Sequence, residues 1–210
     1  MTRIVVCAVA LAAVLGCKRE NPIEQAAPSS TEAKTSCSYT YDSAQTKLTW
    51  TAYKLTERVG VSGTFNKITA QGAKPAATPV GVFPGLTFLI DTSSVNSDNP
   101  ERDPKLVASF FGKLPEGESI SGTVKSIEDK KAVVDLSLGG VQKEVPFEVV
   151  VDGSTLTATA SIDLNDFQGQ AAVDSLNAAC KELHTGTDGA SKLWPDVGLK
   201  IESTLKKTCN

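Results

Sequence analysis

The sequence predicts an all-β fold of about eight antiparallel strands with one or two short helices. From residue 38 onward, apolar and polar side chains alternate with a period of two, which is typical of strands with one buried face. Short turn signals separate most of these segments, and only two stretches show helical spacing. A meander of this kind must cover its apolar face, either as a sandwich or by closing into a barrel.

The predicted strands each carry an apolar set of side chains opposite a polar set. They lie at residues 48–53, 59–65, 86–91, 120–125, 134–138, 145–151, 156–162 and 197–201. A Pro-rich loop at residues 71–84 interrupts the meander, because its three prolines exclude a regular strand. Pro146 lies on the outward set and cannot donate to a ladder, so its strand is expected to be bulged or near an edge.

Two helices are predicted between strands. Residues 96–102 hold no aliphatic side chain and form a turn, and Asp103 then directly precedes Pro104. This pair predicts a helix whose first turn is capped by the Asp103 carboxylate, with an apolar face that ends in Phe111. The second helix is predicted at residues 170–183, before the last strand.

The composition excludes several classes of function. A net charge of −3 and the absence of a basic cluster argue against a nucleic-acid partner. The single histidine limits acid–base and zinc chemistry. We find no nucleophile elbow, phosphate loop or dinucleotide fingerprint, so the chain is predicted not to be an enzyme.

The N-terminus is predicted to be a targeting segment. Residues 1–16 combine an early positive charge with an apolar run too short to span a bilayer. The run ends in a small residue before Cys17, which resembles the lipobox of bacterial lipoproteins and implies acylation of Cys17; an ordinary secretion signal is the alternative. Lys18, in place of Asp, favours an outer-membrane anchor facing the periplasm of a bacterial cell envelope. Residues 17–36 are expected to be a disordered, lipidated tether.

A resemblance to a known family is centred on three motifs. The runs IDTSSV at 90–95 and RDPKL at 102–106, followed by a paired aromatic at 110–111, resemble the signature of the YceI-like family of polyisoprenoid-binding proteins. The runs WTAYK at 50–54 and VSGTF at 61–65 fit the same family in the same order. The resemblance implies a lipocalin-like, up-and-down antiparallel β-barrel over residues 37–210 that holds a long isoprenoid or fatty-acyl ligand for storage, transport or stress protection. It implies no cofactor other than such a lipid, and it leaves a homodimer open.

The inward side chains of the strands and an aromatic of the first helix are the candidate ligand contacts in this barrel. They are Trp50, Val61, Phe65, Phe88, Ile90, Phe110, Val134, Leu136, Val145, Phe147, Val149, Leu156 and Ile162. Small inward residues, Gly63, Gly122, Ala158 and Ala160, are expected to leave room for the ligand. A solid structural barrel with no lumen is the alternative.

Three cysteines remain after Cys7 is assigned to the targeting segment and Cys17 to the lipidation site. Cys37 opens the first strand and Cys209 closes the last, and these strands are neighbours in an up-and-down barrel. A Cys37–Cys209 disulfide is therefore favoured in an oxidising compartment, while a bridge from Cys180 to either cysteine stays open.

Cys180 and His184 are weak candidates for a second chemistry. They lie four residues apart, so a helix places them on one face, where they could bind a metal or support a redox function in the periplasm. The alternative is a buried thiol beside a histidine at a helix end. Asp98, Glu101 and Asp103 crowd one turn but lack the spacing of a calcium loop, so no metal site is predicted.

Overall fold

The computed structural model describes residues 36–210 of the chain. The predicted signal peptide, the lipidation site Cys17 and all of the predicted tether except Ser36 lie outside the described residues. A curled ten-stranded antiparallel sheet and a separate two-stranded ribbon form most of the fold. Within residues 36–210, every helix is too short or too polar to cross a bilayer.

The strands and helices follow one another in a simple order. The strands are β1 Cys37–Thr40, β2 Thr46–Lys54, β3 Val59–Phe65, β4 Ile68–Gln71, β5 Thr87–Asp91, β6 Val95–Asn96, β7 Ser119–Glu128, β8 Lys131–Leu138, β9 Val141–Asp152, β10 Thr155–Asp163, β11 Leu193–Thr204 and β12 Lys206–Cys209. The helices are α1 Asp103–Ser109, α2 Gln170–Ala179 and α3 Lys181–His184.

The large sheet returns upon itself. Its hydrogen-bond order is β4-β5-β7-β8-β9-β10-β11-β2-β3-β6. Only Asn66 and Lys67 separate β3 from β4, and only a short turn at 92–94 separates β5 from β6. The amide of Asn66 donates to the Ser94 carbonyl at 2.9 Å, so the two lengths of chain stay paired across both turns. If β3 with β4, and β5 with β6, are each counted as one length of chain, the sheet has eight antiparallel lengths that are neighbours in chain order. This confirms the predicted fold class.

The barrel has two differently built ends. At one end lie the β1–β12 ribbon, the β7–β8 and β9–β10 turns and the loop at 72–86. We call this the ribbon end. At the other lie α1, which follows β6, and α2 and α3, which connect β10 to β11. We call this the helical end, and α1 and α2 are in contact there.

A disulfide fastens the ribbon end. Cys37 and Cys209 face each other in the β1–β12 register and are joined by a disulfide, as the sequence predicted. The cysteines belong to this separate ribbon, however, and the first and last strands of the barrel wall are β2 and β11. The amide of Tyr39 donates to the Ala76 carbonyl at 2.8 Å, and the amide of Ala76 donates back at 3.1 Å. The disulfide-bonded ribbon therefore also holds the Pro-rich loop.

The predicted cap at the start of α1 is wrong. The Asp103 carboxylate does not cap the helix but accepts hydrogen bonds from the amide and hydroxyl of Ser97, at 3.0 and 2.6 Å. Asn99 caps this part of the chain instead, because its side-chain oxygen accepts from the amides of Glu101 and Arg102, each at 3.0 Å. The chain already turns helically before Asp103, so the Asp-Pro pair comes too late to start the helix.

The expectation for Pro146 is confirmed. Pro146 faces Val133 of β8, while β10 pairs with β9 only from residue 148 onward. The first half of β9 therefore has a neighbour on one side only, and the missing amide of proline costs no hydrogen bond on the other side.

Candidate functional site

A hollow of about 270 Å³ runs inside the barrel, and we call it the main cavity. Side chains from the barrel wall, from α1 and α2 and from the Pro-rich loop line it, and none of the lining residues is charged. An engineered apolar cavity of about 150 Å³ stays dry and binds benzene. The main cavity is larger and mostly apolar, so it is suited to an apolar ligand.

The inward side chains that line the main cavity are buried to different extents. Val134, Phe147 and Leu156 are buried. Phe88 and Ile201 line the same cavity but are only partly buried, as expected of side chains that border empty space. A barrel filled by its own side chains would bury both groups alike.

Most of the sequence-predicted contacts come together around the main cavity. Eleven of the thirteen line it: Trp50, Phe65, Phe88, Ile90, Phe110, Val134, Leu136, Phe147, Val149, Leu156 and Ile162. Their role as ligand contacts stays a prediction, because the structure shows where they lie and not what they bind.

Val61 and Val145 do not line the main cavity. Val61 pairs with Ala52, nearer the helical end than the Trp50–Gly63 pair, and it borders a second pocket there. Val145 is 5% exposed and packs in the buried core, at the stretch where β9 lacks β10 as a neighbour and the turn Leu164–Phe167 contacts β9 instead. Alternation predicts on which face of a strand a side chain lies. It does not predict whether the lumen is open at that position.

Several lining residues were missed. Leu48, Ala52, Leu199 and Ile201 lie on the same alternating faces as the predicted residues, so the pattern itself could have found them. Leu176 of α2 also lines the cavity. No local signal identifies such a helix residue, because its position depends on how the helix packs against the barrel.

Aromatic rings fill the space beside two of the inward glycines. This is contrary to the expectation that these glycines leave room for the ligand. Gly63 lies directly opposite Trp50, and a Cβ added there would overlap the indole ring and lie 2.7 Å from the Asn96 carbonyl oxygen. Gly122 lies opposite Phe88 in the same way, with 2.5 Å between an added Cβ and the ring. Each ring therefore occupies the space that a side chain at the glycine would need.

The two tryptophan N–H groups beside the main cavity are bonded to backbone carbonyls. The indole N–H of Trp50 donates to the Thr64 carbonyl at 3.3 Å, and that of Trp194 to the Leu55 carbonyl at 2.7 Å. No buried side-chain nitrogen or oxygen among residues 36–210 lacks a partner. The lumen can therefore attract a ligand through burial of apolar surface, with few directional contacts to select among ligands.

A second hollow of about 170 Å³, the side pocket, adjoins the main cavity at the helical end. The two share five lining residues, which are Trp50, Ala52, Leu106, Leu176 and Leu193. Unlike the main cavity, the side pocket is bordered by charged residues, namely Lys54, Glu101, Arg102 and Lys105.

Cys180 and His184 border this side pocket as buried residues, 7% and 8% exposed. The Asn177 side-chain oxygen lies 3.0 Å from Nδ1 of His184 and also accepts a hydrogen bond from Ser191. An amide oxygen cannot donate, so Nδ1 carries the hydrogen of the neutral ring. Burial, and then the nearby Lys54 ammonium, lower the pKa of His184 below its ordinary value.

No metal centre forms around these groups or around the acidic turn. Within the described part of the chain, no three His, Cys, Asp or Glu side chains converge as metal ligands. Asp98, Glu101 and Asp103 accordingly do not share a site, and Asp103 is already bonded to Ser97. The free thiol of Cys180 is buried, which suits the structural interpretation of the Cys180–His184 pair better than the redox one.

Comparison with known proteins gives one family and several similar folds. The family model for the YceI-like domain matches residues 39–205. A polyisoprenoid-binding domain from Saccharophagus degradans, implicated in plant cell wall breakdown, is 15% identical with a TM-score of 0.57; the match covers 82% of this chain and 98% of that one.

Two further structures are similar at a lower level. BcnA of Burkholderia cenocepacia is 14% identical, covers 79% and 99% of the two chains and has a TM-score of 0.48. The YCEI protein of Campylobacter jejuni is 22% identical, covers 70% and 85%, and has the same TM-score of 0.48. No curated protein matches the chain.

Proposed function

Because the chain belongs to the YceI-like domain family, we propose that it binds a long apolar ligand, an isoprenoid or a fatty-acyl chain, inside its barrel. The observation that supports this proposal most strongly is the uncharged hollow of about 270 Å³ between the strands. A structure with a similar fold is named a polyisoprenoid-binding domain, which agrees with the same class of ligand.

Removal of the chain from water would supply the affinity. Each methylene transferred to an apolar environment contributes about 0.8 kcal/mol. Since most of the residues that line the main cavity are apolar, selectivity would depend mainly on the length and shape of the chain. The protein would act as a carrier or store and not as an enzyme.

The location of the protein follows from the N-terminal prediction. We place the domain on a lipid anchor at Cys17, held at the bacterial outer membrane on the periplasmic side by the tether of residues 17–36. Such a position would give the barrel access to membrane lipids for transport, storage or protection under stress. The predicted anchor at Cys17 can be tested independently of ligand binding. The tests are cleavage by signal peptidase and mass spectrometry of the N-terminal peptide.

A variant that fills the main cavity tests the binding proposal. Ala158 lines the main cavity on β10, and Thr157, which directly precedes it, lies on the opposite face of the same strand. We expect Ala158→Phe to weaken the binding of long-chain alkanols at least roughly tenfold, because the ring fills volume that the chain needs. Displacement of a fluorescent polyene fatty acid measures this affinity.

The matched control adds the same ring outside the barrel. Thr157→Phe should leave the affinity unchanged, and circular dichroism should show both variants folded. Equal binding by Ala158→Phe and the wild type, or no binding of any chain by the wild type, would contradict the proposal.

A further inference from the structure

We infer that the side pocket binds the anionic head of an amphiphile whose chain lies in the main cavity. This inference rests on the proposed function and adds a class of ligand, a single-chain carboxylate or phosphate.

The two hollows adjoin each other. Trp50 and Ala52 of β2, Leu106 of α1, Leu176 of α2 and Leu193 of β11 line both of them. The side chains that border both hollows are thus all apolar, and a chain that passes from the main cavity into the side pocket would contact these residues. Exposed residues such as Lys105 and Leu183 also border the side pocket, so it reaches the protein surface.

The side pocket carries an excess of positive charge that no carboxylate neutralises. Lys54, Arg102 and Lys105 border it together with a single acidic residue, Glu101. None of these cations takes part in an ion pair among residues 36–210. Arg58, the cation at the turn after β2, differs because it is already paired with Asp196.

The cations keep donors available for a ligand. Nζ of Lys54 donates to the Leu183 carbonyl at 3.0 Å, which uses one of its three N–H groups. Nη1 of Arg102 donates to the Ser97 carbonyl at 3.4 Å, and four of the five guanidinium N–H groups remain. Carboxylates and phosphates are the partners that such donors bind most strongly.

The ribbon end offers no comparable site. The polar residues that line the main cavity there are Tyr41, Ser43 and Thr46, and no charged residue lines the main cavity anywhere. The Thr46 hydroxyl is already engaged with the Asp42 carbonyl and Ser203. An anionic head therefore finds free cations at the helical end, and the tail of its chain points toward the ribbon end.

Four ligands with a common hexadecyl chain test the inference. They carry a carboxylate, a phosphate, an alcohol or a trimethylammonium head, and their affinities are compared at low and high salt. We expect the wild type to bind the two anions roughly fivefold to thirtyfold more tightly than the alcohol at low salt, because partly exposed charge pairs contribute modestly and are screened by salt. The carboxylate and phosphate arms show which anionic head is preferred.

Variants of the cations locate the effect. The triple variant Lys54→Gln, Arg102→Gln and Lys105→Gln should lose the preference for anions and keep the affinity for hexadecanol, which also shows that it is folded. Lys181→Gln removes an exposed charge from α3 outside the side pocket and should keep the preference. If the triple variant does not fold, Lys105→Gln alone should reduce the preference, because Lys105 is exposed.

The outcomes separate this inference from the proposed function. Equal affinity of the wild type for the anions and the alcohol, or a preference that survives in the triple variant, overturns the head-group site and leaves the carrier function standing. Failure of all four ligands to bind overturns both.

Discussion

The two ends of the barrel are closed by different means. At the ribbon end a disulfide fixes β1 to β12, and paired backbone hydrogen bonds between Tyr39 and Ala76 hold the Pro-rich loop. At the helical end α1 and α2 close the barrel through apolar contacts such as those of Leu106 and Leu176, without a covalent link. The side pocket with its unpaired cations lies only at this second end.

This difference indicates which end can open. A covalent link limits the separation of the chains it joins, whereas packed helices can open at the expense of their buried apolar contacts alone. Entry and release of a ligand are thus expected at the helical end.

The largest expected effect is at the ribbon end. The disulfide spans 172 residues, so in the chain-entropy model its removal by Cys37→Ser and Cys209→Ser should lower the free energy of unfolding by about 4–5 kcal/mol. Urea denaturation measures the change. Reductant should destabilise the wild type by a similar amount and leave the double variant unaffected. Equal stability of the oxidised and reduced wild type would show that the ribbon does not hold this end.

An intermediate effect is expected in the wall between the ends. Gly63→Ala should lower the free energy of unfolding by about 1–3 kcal/mol, because the new methyl group would displace Trp50 from the place where it borders both hollows. Tryptophan fluorescence should shift as the indole moves.

Gly60→Ala is the matched control for this prediction. It lies on the same strand, where an added Cβ comes no nearer than 3.4 Å to Thr51, so its effect should stay below about 0.5 kcal/mol. If both variants have the same stability, Trp50 does not depend on the glycine opposite it.

The smallest effect is expected at the helical end, as a dependence on pH. Burial lowers the pKa of His184 from its ordinary value of 6.5, so the unfolded state binds the proton more readily than the folded state. Stability should be complete above pH 6.5 and fall as the pH drops through the lowered pKa. In His184→Gln this loss should be absent, whereas an identical pH profile in both proteins would exclude His184 as its source. Urea denaturation over a series of pH values measures it.

Local patterns predicted the wall well and the ends poorly. Alternation in segments such as 156–162 identifies the face of a strand that is buried, and each of the eight predicted segments lies in one of the eight lengths of chain that form the barrel. It could not show that the cysteines lie on a separate ribbon, because β1 and β12 are four residues long and mostly polar. The sequence predicted that Cys37 and Cys209 lie close together. It did not predict that the strands that carry them form a ribbon separate from the barrel wall.

The side pocket shows the same limit. Lys54, Arg102 and His184 come from β2, the turn before α1 and the end of α3, and they meet only after the barrel has closed and the helices have packed. No local pattern around any of the three predicts that they meet in one pocket. The wrong prediction of the helix cap has a similar cause. Asp103 was predicted to cap the helix, but Asn99 does so, because both residue types cap helices and only the path of the chain decides between them.

A crystal structure with a hexadecyl phosphate brominated at the end of its chain tests the central claim most directly. The account predicts an anomalous bromine peak inside the barrel, near Leu48 and Ile201 toward the ribbon end, with density continuous along the main cavity. A bromine peak found only on the outside of the sheet, or a lumen filled by the protein's own side chains, would contradict it.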